Sequence, residues 1–92
     1  MNQALLHEIA KRNGFIVALF SDHPDFFSSW SLRVTKSNTT YMIDNDGRNE
    51  WLILYKETSP NKYQELDKKT SHTMNNNEKA NICEIWLQTI SN

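Results

Sequence analysis

TTYMIDNDGRNEWLILYKE, residues 39–57, decides the fold. Thr39, Tyr41 and Ile43 alternate on one side of Asp46-Gly47, and Trp51, Ile53 and Tyr55 alternate on the other. A period of two is what a strand requires, because successive side chains point to opposite faces. Asp46-Gly47 between two such runs is a strong hairpin signal. Glycine takes positive φ without a Cβ clash, and aspartate tolerates the same region. The stretch predicts two strands, one tight Asp-Gly turn and a core face.

Upstream, Trp30–Lys36 (WSLRVTK) alternates too, with Trp30, Leu32 and Val34 inward and Ser31, Arg33 and Thr35 outward. Lys36-Ser37-Asn38 turns that strand into the hairpin. Phe15–Phe20 (FIVALF) is apolar at every position and bounded by Gly14 and Ser21-Asp22. Such a run predicts a strand covered on both faces, central in the sheet. Ser21–Ser29 reads as a connection, with Ser21 or Asp22 capping a short helical turn near Pro24. Its Phe26 and Phe27 are expected to tuck under the sheet edge; the alternative is a place on a binding surface. Downstream, Ser59–Lys62 is a turn, and the polar Tyr63–His72 fits an edge strand, with irregular chain the alternative.

Helices flank the strands. Residues 3–13 put Leu5, Leu6, Ile9 and Ala10 on one face, with Lys11 and Arg12 complementing the dipole and Asn13-Gly14 as the stop. Asn75 with Glu78 forms a capping box for a helix over Glu78–Ile90, whose apolar face is Ile82, Cys83, Ile85, Trp86 and Ile90. Cys83 is expected as a small buried hydrophobe, since no cation nearby would lower its pKa. Residues 1–92 thus predict a single α+β domain: an antiparallel meander sheet of four to five strands with an N-terminal and a C-terminal helix.

Composition narrows the function. The 92 residues carry a net charge of −1, which exerts no general pull on nucleic acid or anionic membrane. One cysteine rules out an internal disulfide and fits a reducing compartment. The N-terminus lacks the basic start and apolar run of a secretory peptide, so a cytoplasmic location is expected. Asp44–Gly47 resembles part of a calcium loop, but Met42 and Ile53 stand where the full pattern needs carboxylates. His23 lies between Asp22 and Asp25 without a second His or Cys at ligand spacing. Gly14 and Gly47 are too far apart for a phosphate loop, and no nucleophile elbow is present. Neither an enzymatic activity nor a cofactor or metal is expected.

The turns carry the charge. Alternate turns of an up-and-down meander share one end of the sheet. One end would collect Asp22, Asp25, Asp44, Asp46 and Glu50 against only Arg48, with Glu78 returning nearby if the fifth strand exists. The other would collect Lys11, Arg12, Lys36, Lys56 and Lys62 against Glu57. Solvated turns segregate charge this way without any function. The functional alternative is that the acidic end, with Trp51 and Phe26 or Phe27 beside it, docks a basic protein. Charge would then steer the encounter while the aromatics anchor it. The candidate partner-binding residues are Asp22, Asp25, Asp44, Asp46, Arg48, Glu50 and Trp51.

DGRNEWLILYKE, an Asp-Gly turn leading into a Trp-containing strand, and the closing helix NNNEKANICEIWLQTI resemble stretches of small immunity proteins from bacterial polymorphic-toxin and contact-dependent-inhibition systems. The resemblance lies in the layout of the chain. It implies a cytoplasmic antitoxin that binds one cognate toxin, often a nuclease, and occludes its active site. A basic toxin or nuclease domain is the partner it implies, with no direct contact to nucleic acid or membrane. An alternative from another class is a phage-encoded inhibitor of a host defence, such as an anti-CRISPR protein; several are short α/β chains that start with a helix much like MNQALLHEIAKRNG. A third is an enzyme subunit whose site forms on oligomerisation.

Overall fold

The computed structural model describes residues 1–91. Asn2 opens helix α1, Gln3–Arg12, by accepting a hydrogen bond from the Leu5 N–H. The helix ends as expected at Asn13-Gly14, with Gly14 at φ 82°. Five strands follow: β1 Ile16–His23, β2 Ser29–Lys36, β3 Thr39–Asp46, β4 Trp51–Ser59 and β5 Lys62–Thr70. They pair antiparallel in chain order, a simple meander. Helix α2, Asn76–Ile90, closes the fold. Its start carries the full capping box: Asn75 accepts from the Glu78 N–H, and the Glu78 carboxylate accepts from the Asn75 N–H.

Both helices cover one face of the sheet. Leu6, Ile9 and Ala10 of α1 and Ala80, Cys83, Trp86 and Leu87 of α2 bury against Trp30, Leu32, Val34, Ile43, Leu52 and Leu54. Burial pushes the Cys83 thiol up to about 12, so it is a protonated core residue. Ile85, expected on the apolar face, instead points to solvent. The Trp86 indole reaches across the sheet edge and donates to Asp67 Oδ2 at 2.8 Å, tying α2 to β5. That bond holds the Asp67 carboxyl below the usual aspartate range.

Register corrects the hairpin. Ile43 pairs with Leu54 and Asn45 with Leu52, so the core face of β4 is Leu52 and Leu54. Trp51, Ile53 and Tyr55 belong to the opposite, uncovered face, level with Asp46, Asp44 and Met42. The polar segment after Pro60 is the fifth strand, an edge as its composition allows. β1 departs most from expectation. FIVALF is apolar enough to be central, but the first strand of a meander that never doubles back has one neighbour. A register shift at Ala18 turns Val17 and Phe20 toward the helices and leaves Ile16 and Leu19 on the open face.

Candidate functional site

Three loops meet at one end of the sheet: β1–β2, β3–β4 and the segment after β5. β1 runs on to His23 and β2 begins at Ser29, so the first of them is shorter than Ser21–Ser29 and contains no helix. It is pinned by backbone bonds from the Phe26 N–H to His23 O and from the Ser29 N–H to Phe26 O. To make this turn Phe27 and Ser28 both adopt positive φ, 54° and 55°. A bulky residue there costs on the order of 1–3 kcal/mol and persists only where surrounding contacts hold it.

Those contacts come from β3–β4. The Gly47 N–H donates to Ser29 Oγ at 3.0 Å, and the buried Asn45 donates through Nδ2 to Ser28 O at 3.1 Å. A Cβ at Gly47 would stand 1.8 Å from the Phe27 carbonyl oxygen. Gly47 is therefore required for close approach of two backbones. It does not supply the positive φ expected of it; within this connection Glu50 does, at φ 59°. Asp46 closes the loop instead, accepting from the Asn49 N–H and from Asn49 Nδ2.

Phe26 and Phe27 do not tuck under the sheet. They pack edge to face on each other, ring centroids 5.2 Å apart, and stand 53% and 60% exposed. Asp25 precedes them on the loop, Asp22 lies in β1 opposite Trp30, and the Gly47 contact sets the turn that carries Asp46 and Arg48 against Phe27. The phenylalanine pair forms an apolar knuckle at the charged end of the sheet.

The other candidates sit apart from it. Glu50 contacts His72 Nδ1, and its carbonyl accepts from the Ser71 N–H, which holds the third loop in place. Trp51 lies on the open face beneath Lys68, whose Nζ is 4.1 Å from the ring centroid. Asp44 lies half-buried mid-sheet, level with Ser31 and Ile53. Burial, and then the charge on Asp46, raise its carboxyl above the ordinary aspartate value. Asp46 itself is lowered, by the two Asn49 bonds first. Glu78 returns near this end but is engaged in its capping box.

The meander pattern places the β1–β2 and β3–β4 connections at one end of the sheet but does not announce what joins them. Ser29, Asn45 and His72 gave no signal, since each matters only through a contact made in three dimensions. Gly47 was singled out for the wrong physical reason. Lys68 adds a cation over the Trp51 ring. Among the described residues, no group of three or more His, Cys, Asp or Glu side chains is placed to hold a metal, and no helix is long and apolar enough to cross a membrane. Comparison with protein-family models, with curated proteins and with solved structures returned no match.

Proposed function

We propose that this protein is a protein-binding inhibitor, an immunity-type antitoxin that neutralises a basic partner, such as a nuclease toxin, through the acidic end of its sheet. The observation that carries the proposal is the bolt between Gly47 and Phe27, which holds an exposed phenylalanine pair against the charged β3–β4 connection. An apolar centre with a charged rim is the anatomy of an affinity hot spot. Strain at Phe27 and Ser28 supports the same reading, because rigid, pre-positioned aromatics lose little entropy on binding. The rim contributes steering toward a positively charged cleft and rejection of acidic partners.

Capture from the source cells with the tagged chain, followed by a growth-rescue assay against the captured partner, tests it. The expected result is a basic partner whose binding weakens with salt and whose toxicity is suppressed on co-expression. Capture that is salt-independent and unaffected by Phe26→Ala together with Asp25→Lys, in a folded variant, would remove the acidic end from the account.

A further inference from the structure

β1 and β5 are the two edges of the sheet, and only one is guarded. β5 carries Lys62, Glu65, Asp67, Lys68 and Lys69, the charged dressing that keeps an edge from recruiting another strand. β1 has no charge from Ile16 to Ser21. On its open face Ile16 is 72% exposed and Leu19 50%. An unpaired edge of this composition presents free backbone donors and acceptors beside apolar side chains, the requirement for strand addition. The shift at Ala18 twists this edge, and bulges of that kind limit pairing. It falls, though, at the smallest side chain of the run.

We infer that β1 pairs antiparallel with β1 of a second copy of this chain, about a two-fold axis near Ala18. Charge selects both the occupant and the direction. The molecule is acidic at one end of its strands and basic at the other, so antiparallel pairing sets each acidic end beside the other copy's basic end. With the axis between Ala18 and Leu19, faces match: Phe20 of one copy comes level with Val17 of the other, Asp22 with Phe15 and His23 with Gly14. Lys36 Nζ lies there, 3.2 Å from where a Gly14 Cβ would stand. A groove of about 610 Å³ opens at the same corner, lined by Gly14, Ile16, Thr35, Lys36 and Thr40. It accepts the Asp22-His23 end of the second copy's strand. Parallel pairing would oppose Asp22 to Asp22, which charge disfavours.

Sedimentation equilibrium of the full chain over a concentration series tests the pairing, with amide spectra to confirm folding. The expected mass rises from 10.8 kDa toward twice that value. Leu19→Lys raises the dissociation constant at least ~100-fold, because two lysines then meet near the axis. Leu19→Thr keeps strand propensity and raises it roughly 10-fold. Asp22→Lys, at the exposed end of the strand, raises it roughly 10-fold, and high salt does the same to the unaltered chain. It also carries the test if the Leu19 variants fail to fold. A monomer up to ~1 mM would overturn the inference and leave the edge to a strand from another protein. So would a dimer indifferent to Leu19→Lys and Asp22→Lys, which would put the interface elsewhere.

Discussion

The two ends of the sheet carry similar numbers of charges and use them differently. At the basic end Arg12 Nε donates to Glu84 Oε1 at 2.7 Å, and Arg12 Nη1 reaches Glu8 at 3.2 Å. Asn13 adds a bond to the same Glu84 carboxylate. Lys36 donates to Asn13 O and lies over the Phe15 ring. These groups tie α1 to α2 and to β2. At the acidic end, Asp22, Asp25 and Asp44 have no side-chain hydrogen-bond or ion-pair partner among the described residues, and two phenylalanines that follow Asp25 in the chain stand in solvent. Charge at the first end holds the molecule together. At the second, Asp46 and Glu50 hold loops while Asp22, Asp25 and Asp44 are left unpaired among the described residues, next to a strained turn. That difference, more than the count of charges, is the ground for proposing the acidic end as the binding end.

The comparison is broken most severely at Gly47. Gly47→Ala drives a Cβ into the Phe27 carbonyl, and the two loops must separate. Urea unfolding should show a loss of about 2–3 kcal/mol, and partner capture should fall with it. Next comes the basic end. Glu84→Ala removes an acceptor shared by Arg12 and Asn13, and its stability loss should be about 1 kcal/mol, since Arg12 is half exposed and screened. The matching change at the acidic end, Asp25→Ala, should cost less than about 0.5 kcal/mol. If Asp25 proves as important to stability as Glu84, the two ends are alike and the contrast fails.

Asp44 sharpens the comparison by sign. Its folded pKa is raised, by burial first and by Asp46 second. A raised carboxyl stabilises the fold below the ordinary aspartate pKa, and that contribution is lost as pH rises through the folded value. At pH 7 the charge is therefore a liability. Asp44→Asn should raise stability at pH 7 by roughly 0.5 kcal/mol, discounted for its half exposure. Asp46 and Asp67 are shifted down and act the other way, with stability lost as pH falls. Urea midpoints from pH 7 to pH 3 should consequently drop more in the Asp44→Asn variant than in the parent. The smallest effect on stability is expected at Phe26: Phe26→Ala should stay within about 0.5 kcal/mol of the parent while capture of the partner is lost.

Much of the fold was legible because its signals are local. The Asn75–Glu78 box, the Asn13-Gly14 stop and the alternation through Trp30–Lys36 each need only neighbours in sequence. FIVALF misled because apolar content reports what a strand can cover, whereas its place in the sheet follows from connectivity. The hairpin was placed correctly, but which face of β4 is buried depends on the length of the Gly47–Glu50 connection. A one-residue change of register exchanges Leu52 and Leu54 for Trp51, Ile53 and Tyr55. For the site, grouping the turns followed from meander topology alone. The fit of Gly47 against Phe27, which fixes that group as a surface, is a contact between residues far apart in the chain, and no local pattern announces it.

The most direct test compares triple charge substitutions at the two ends. One variant carries Asp22→Lys, Asp25→Lys and Asp46→Asn, the last keeping an acceptor for Asn49; the other carries Lys11→Glu, Lys56→Glu and Lys62→Glu. Capture from the source cells by each folded variant is measured against the unaltered chain at two salt concentrations. The acidic-end variant should lose its partner, and the basic-end variant should retain it with the same salt dependence. Equal capture by both variants, or loss confined to the basic-end variant, would contradict the account.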